Sequence, residues 1–501
     1  MDNKPTRSVF DGIIAGAGTI GATRLTFLAS LLLSLIVVAG NHALNRDGML
    51  YIDTAREILE HQAGASEFDW LFFPFIIAVF GGISHLNLEM AAQTIDALFL
   101  AGACALLVDM TRRRMPRAAW AACLVVLAMP AYNGYRDYVI REFGYWFFCM
   151  LSFWCALRWE MRGYRWRDAG ACQIALVIAI LFRLEAVIFF PALAIWQMFA
   201  APKGEKPRRM LMICWLPLLA AGILVVLVVT GGIHLPDRVF NYLRAAKFWE
   251  SKQGFSHAAA GLRAVLPVFS AEDTSLILGS GLVTLIPLKF LYMLGIFIVP
   301  FGYACFMPAA RTVFRQWSMM GWAFMFSLLA LVFFAWQNLF VSARYVSILN
   351  LLAVPVVAAG YAALTARHPG WRRILLPLAI ITMMTNVVAF KSNAAYLKNT
   401  GRWLAANAEN PDRVYAQDTR VIYYAGWKYK HDLPPLDLTS IEQKLARDEI
   451  DFLVLEESHG QLKVTTWLQT HALIIRAIFM NRSGDKIIIA QSRFAADRQT
   501  R

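Results

Sequence analysis

The chain has 501 residues, 58% hydrophobic and 16% charged, against about 45–50% and about 25% in ordinary soluble domains. Its apolar residues come in unbroken runs such as Leu218–Thr230 and Trp322–Trp336, which excludes a single soluble globule and points to a polytopic membrane protein. The net charge of +14, from 48 Lys+Arg and 34 Asp+Glu, sits largely in short Arg-rich loops between these runs. That placement orients membrane helices and is weak support for nucleic-acid binding.

In chain order, the first apolar run is Arg24 to Gly40. Its end, Val38-Ala39-Gly40, resembles a small-residue cleavage site, but an uncleaved first helix is the expected arrangement in a multi-spanning protein. Spans are predicted at about 25–40, 91–110, 117–132, 143–158, 169–183, 186–200, 210–230, 287–306, 317–336, 346–364 and 374–390, about 11 transmembrane helices. Trp70–Ser84 is apolar but short, with a Pro and a Gly pair. If it does not cross, twenty bases fall on the N-terminal side of the membrane, among them Arg112–Arg114, Arg158, Arg162 and Arg165. Only Arg46, Arg56, Arg136, Arg141, Arg183 and Arg344 fall in the opposite short loops. The positive-inside rule therefore makes Trp70–Ser84 interfacial or re-entrant, the N-terminus cytoplasmic and the C-terminus extracytoplasmic.

This gives a transmembrane catalytic domain over 1–390, with external loops 41–90 and 231–286, and an extracytoplasmic domain over 391–501. The first loop carries six acids before Trp70, and Met49–Gln62 reads as a surface helix. The second interleaves Arg238, Arg244, Lys247, Lys252 and Arg263 with aromatics, the pattern of an interfacial amphipathic helix. In the tail, helix-like Ala394–Ala408 and Ser440–Asp448 alternate with β-like runs at 413–417, 421–425, 451–456, 473–479 and 486–491, which predicts a small α/β domain. All seven cysteines lie inside apolar runs, so neither a disulfide framework nor a Cys-based metal site is implied.

Several polar residues stand out. Asp47, directly after the first span, is placed to take a proton from a nucleophile in a partly dry cleft; equally, an Asp there can cap the surface helix. Tyr135-Arg136-Asp137-Tyr138 and Arg141-Glu142 fill the external turn between the third and fourth spans, where orienting bases are not expected. Glu142 opens the fourth span, which favours a carboxylate electrostatically as well as catalytically. Arg183 has Glu185 two residues on and can pair with it or bind an anion, whereas Arg344 has no acid nearby in sequence, so an external anion such as phosphate is its expected partner. Asp96 is a membrane-embedded acid that needs a partner. No Walker loop, HExxH or G-x-S-x-G is present.

With these residues in view, the chain resembles the GT-C superfamily of membrane glycosyltransferases, in the branch of protein O-mannosyltransferases and lipid A aminoarabinose transferases. The resemblance runs through Asp47, Tyr51, Ala55 and Arg56, the basic turn Arg112–Arg114, a span ending at Pro130 with Arg and acid close by, Arg183, and Arg344-Tyr345. It ends in the tail with Arg402-Trp403-Leu404, Arg413-Val414-Tyr415 and Tyr423-Tyr424-Ala425-Gly426. The chain departs from the family at Gly48, where a second acid is common, at Phe73-Pro74, where many relatives have two prolines, and at Gln93–Asp96, which lacks a common arginine.

The resemblance implies Asp47 as catalytic base and Glu142 as the second acid. It implies Arg344 and then Arg183 as contacts to a donor phosphate, with Arg136 and Arg141 as further candidates, and Tyr51, Tyr345 and Asp137 as substrate contacts. The implied activity is transfer of a sugar from a polyprenyl-phosphate carrier to a lipid, glycan or protein acceptor on the extracytoplasmic face of a membrane, the inner membrane in a bacterial host. Membrane lipids are the implied surroundings, and a divalent metal is compatible with the residues but not implied by them. The alternatives are a transporter or flippase of a lipid-linked saccharide, which would more often show internal repeats and interrupted helices in matching halves, and a ligase or polymerase of lipid-linked glycans.

Overall fold

The computed structural model describes residues 19–40, 43–60, 68–231, 248–387, 395–429, 437–457, 464–471, 473–481 and 484–492. Expectations for Arg238, Arg244 and Lys247 fall outside these residues. Two compact units emerge. One is built from the described parts of 1–34, 96–136 and 141–387, the other from those of 35–95, 137–140 and 388–501.

The first unit is helical. Among the described residues six helices are long and apolar enough to cross a bilayer, including Leu88–Arg114, Ser318–Asn338 and Ala343–Arg367; the chain is an integral membrane protein. Other expected spans are present as shorter helices, Ala119–Ala128, Trp166–Phe182 and Phe189–Ala200, or as helices with charged ends, Glu142–Met161 and Pro369–Val387. The span expected at 117–132 is interrupted, because Met129 is extended and Pro130 starts a separate turn. The helix expected from 287 begins at Thr274 and breaks at Gly295, whose φ is +56°. Ala343–Arg367 is buried along most of its length and packs on Ala119–Ala128, Thr274–Leu294, Ile298–Phe306 and Ser318–Asn338. Glu142–Met161 and Trp166–Phe182 form a tight hairpin. At its open end Gly144 lies against the Phe182 ring, where any Cβ would overlap it. That close approach sets Glu142 beside Arg183.

The second unit contains the surface helix, observed as Arg46–Leu59, packed on Phe72–Ser84. Phe72–Ser84 has 13 residues, about 20 Å at 1.5 Å per residue, and covers most of the apolar segment expected at Trp70–Ser84. The unit also holds a four-stranded sheet, β1 (Val414–Ala416), β2 (Phe452–Glu457), β3 (Ile474–Met480) and β4 (Lys486–Gln491), in the order β1-β2-β4-β3. β1 and β2 are parallel, and β4 is antiparallel to both neighbours. Phe452, Val454, Ile487 and Ile489 pack with Leu397, Leu404 and Val421, while Leu453, Leu455 and Ile488 pack with Ile441 and Leu468 on the other face. Both faces are covered, which is why β2 and β4 read as apolar runs rather than as alternation.

One expected strand is a helix. Residues 421–424 belong to the helix Thr419–Tyr424, with Ala425 as its C-cap, and its N-cap Asp418 accepts from the Arg420 amide at 3.0 Å. The β-branched and aromatic side chains favour a strand locally, but the cap and packing on Ala395–Asn407 prevail. Gly401 makes that packing possible: a Cβ there would lie 2.6 Å from the Tyr424 backbone.

Candidate functional site

In the first unit, the chain leaves Trp166–Phe182 at Arg183, whose backbone is extended, before the short turn Leu184–Ile188. Arg344 lies in the first turn of Ala343–Arg367, where the Ser342 hydroxyl accepts from its amide at 3.3 Å. Glu142 begins Glu142–Met161 and is 2% exposed. These three helix ends bring one carboxylate and two guanidinium groups together. Arg183 Nη1 donates to Glu142 Oε1 at 2.6 Å, and Arg344 Nε makes an ion pair with the same oxygen at 2.9 Å. Arg183 also holds Glu185 through two bonds, Nη2 to Oε1 at 2.6 Å and Nε to Oε2 at 3.3 Å. Its guanidinium lies 4.5 Å from the centre of the Tyr345 ring, and that of Arg344 lies 5.7 Å from it. Such stacking lets arginine keep its charge on an apolar wall.

The cluster lines a cleft of about 60 Å³ whose other walls include Trp146, Tyr145, Ile188, Leu331, Phe334 and the buried Ser327. In such low-dielectric surroundings charges interact more strongly than in water. Glu142 Oε2 is buried in this cleft with no hydrogen-bond partner among the described residues.

Arg344 is expected to face an external anion because no acid lies near it in sequence. It does have an acid partner, Glu142, two hundred residues away in sequence, where no local pattern reveals it. The pairing of Arg183 with Glu185 is present, but as half of a larger network. Arg141 is half-buried and acts electrostatically on Glu185. Arg136 is elsewhere engaged. All five of its N–H donors are taken by neutral acceptors: Nε and Nη2 by Asn133 Oδ1, Nη1 by the Ser30 carbonyl and Ser34 Oγ, and Nη2 again by Ser30 Oγ. It has no carboxylate partner among the described residues and no donor left for a phosphate.

In the second unit, Asp47 is half-buried in the first turn of Arg46–Leu59. The N-cap position belongs to Asn45, so Asp47 is not the cap residue; its charge is still favourable so close to the helix N-terminus. Asn45 uses its side chain on residue 139, accepting from the Val139 amide at 2.8 Å and donating to its carbonyl at 3.2 Å. Gly48 is required there, because a Cβ would come within 2.8 Å of Asn45 Oδ1 and 2.9 Å of Val139 Cβ. Tyr51 is buried, with the rings of Phe68 and Phe73 at 5.4 and 5.3 Å. Asp137 lines a separate, more polar pocket with Glu89, Gln93 and Lys398.

The tail is tied to this helix. Arg46 lies 3.9 Å from Asp418, the Leu44 amide donates to Tyr424 Oη at 3.0 Å, and the Tyr429 amide donates to Asp53 Oδ2 at 3.2 Å. Tyr423 Oη donates to Glu89 Oε1 at 3.0 Å; burial, with the adjacent Glu89 charge, pushes the Tyr423 phenol well up. Among the described residues no three His, Cys, Asp or Glu side chains gather as a metal site.

No family model and no curated protein sequence matches the chain. Among solved structures it is similar to ArnT from Cupriavidus metallidurans in the apo state, at 13% identity and a TM-score of 0.45, over 96% of this chain and 98% of that one. It is also similar to the archaeal oligosaccharyltransferase AglB from Archaeoglobus fulgidus, in complex with an inhibitory peptide and a dolichol-phosphate, at 12% identity and a TM-score of 0.47, over 85% and 69%. At these identities the functional reading rests on the side chains themselves.

Proposed function

We propose that the protein is an inverting glycosyltransferase that moves a sugar from a polyprenyl-phosphate carrier to an acceptor on the extracytoplasmic face of the membrane. The observation that carries this reading is the convergence of Arg183 and Arg344 on one apolar cleft at the ends of membrane helices. Ionised side chains at such depth are costly and mark a ligand or ion site. A guanidinium offers the planar pair of donors that suits phosphate oxygens.

In the proposed step an acceptor hydroxyl attacks the anomeric carbon and loses its proton to Asp47. The bond between that carbon and the phosphate oxygen breaks, and its electron pair stays on the oxygen. The donor is a phosphodiester with one negative charge; the leaving polyprenyl phosphate is a monoester carrying nearly two at neutral pH. Catalysis therefore needs positive charge where that second charge develops, and Arg344 with Arg183 supplies it. Tyr345 holds the two guanidinium planes. Asp137 and Tyr51 are proposed acceptor or sugar contacts, and Arg141 a secondary source of positive charge.

The test is to reconstitute the purified protein in lipid nanodiscs with a polyprenyl-phosphate sugar and follow acceptor-dependent release of polyprenyl phosphate. Release is expected. Movement of an intact lipid-linked saccharide across sealed vesicles without release would instead establish the transporter.

A further inference from the structure

The arginine cluster contains its own counter-charge. Arg183 donates to Oε1 of Glu142 and Arg344 makes an ion pair with the same oxygen, while Glu185 accepts from Nε and Nη2 of Arg183, so two guanidinium groups meet two carboxylates. A site intended only to hold phosphate as tightly as possible would leave its cations unopposed. The buried Oε2 of Glu142 has no hydrogen-bond partner among the described residues, so no donor on that side spreads the carboxylate's charge. Buried acceptors are nearly always paired, so this exception calls for a reason.

We infer that Glu142 sets the charge balance of the phosphate site so that the spent carrier, polyprenyl monophosphate, is released. This rests on the proposed glycosyl transfer. Donor and product differ at the phosphate by about one negative charge, so cations strong enough to stabilise the leaving group also favour retention of the product over the donor. Glu142, in contact with both arginines, offsets that excess. It does not touch the reacting atoms; it acts through Arg183 and Arg344 and is a positioning and charge-balancing residue. Removing its charge raises affinity for the monoester more than for the diester. A unit charge a few ångström away at an effective dielectric near 20 is worth about tenfold or more in affinity.

Two probes that differ by that one charge separate the possibilities: farnesyl phosphate, a dianionic monoester, and its methyl ester, a monoanionic diester. Each is titrated against wild type, Glu142→Gln, Glu142→Asp and Arg344→Ala in nanodiscs of one neutral lipid. Glu142→Gln is expected to bind farnesyl phosphate about tenfold more tightly with a smaller gain for the diester. Glu142→Asp, which keeps the charge, is expected to restore the wild-type ratio. In turnover, Glu142→Gln is expected to lower KM and kcat together and to strengthen product inhibition. If Arg344→Ala binds both probes like wild type, the phosphate reading of the cluster fails. If Arg344→Ala weakens both while Glu142→Gln leaves their ratio unchanged, Glu142 only holds the arginines in place and the charge-balance inference falls. Should Glu142→Gln not fold, Glu185→Gln, at a side chain 26% exposed, carries the same comparison.

Discussion

Arg183 and Arg344 share a single oxygen, Oε1 of Glu142, at 2.6 and 2.9 Å. Two cations are drawn to one acceptor from different helix ends, and the close approach of Gly144 to Phe182 sets Glu142 beside Arg183. Under the proposed function, the donor phosphate would meet arginines already brought together by the fold.

Arg344→Lys is therefore expected to weaken donor use partially and Arg344→Ala severely. Lysine keeps the charge but loses the planar fork, and neither change is expected to disturb acceptor binding measured alone. Donor titration of each purified variant in one lipid is the check. Equal donor affinity in wild type and Arg344→Ala would leave Arg183 and Arg141 as the remaining arginines for the phosphate.

Asp47→Asn keeps the size of the side chain at a position that is not the N-cap. Loss of a general base commonly lowers rate by about 10²–10⁴, and a fall of that order is expected with donor binding and thermal stability near wild type. Turnover near wild type would show that another group takes the proton.

The uneven distribution of bases predicts topology. Reporter fusions after Arg114 and Arg373 are expected to read cytoplasmic, and fusions after Asp53, Gly232 and Lys391 extracytoplasmic. A cytoplasmic tail would place the Asp47 segment on the wrong side for the proposed reaction.

Glu456 in β2 supplies a pH signature. Burial, followed by repulsion from Asp418, raises its carboxyl above the ordinary range, although Arg420 works in the other direction. A raised carboxyl binds its proton more readily folded than unfolded, so its penalty is absent below the unfolded pKa and fully present above the folded one. Glu456→Gln is thus expected to raise the melting temperature at pH 7 and to change it little at pH 4. A shift independent of pH would mean that shape, not charge, governs the position.

Gly48→Ala tests the packing beneath Asp47. The added methyl would press on Asn45 and Val139, and overpacking of this kind costs about 1–3 kcal/mol. A lowered melting temperature is expected, with turnover reduced in proportion to the displacement of Asp47.

The fold was legible in the sequence where physics is local. Apolar runs marked most helices, and the Arg183–Glu185 break was visible as a polar interruption. Residues 421–425 misled because Val, Ile and two Tyr carry strand propensity, while the cap that overrides it is a single Asp418 and the packing partner, Gly401, is some twenty residues away. Of the candidate site, its members were recognisable as charges in the wrong place, but their pairing was not. Nothing in the neighbourhood of Arg344 announces Glu142, because the two meet only through the close packing of separate helices. Arg136 looked equivalent to Arg141 in sequence; the serines that consume its donors lie on the first helix, a hundred residues earlier.

That arrangement around Arg136 bears on how the protein is assembled in the membrane. Ser30 and Ser34 are synthesised long before the arginine they serve, so the first helix enters the bilayer with hydroxyls that await a later partner, and the arginine enters needing a helix already in place. The first helix is then no generic anchor. Exchange for a polyleucine segment of equal length would preserve insertion, the carbonyl at position 30 and the bonds to Asn133, yet remove both hydroxyl acceptors and leave buried donors of Arg136 unpaired, and quality-control proteolysis of the chimaera, relieved by Arg136→Met, would reveal the dependence.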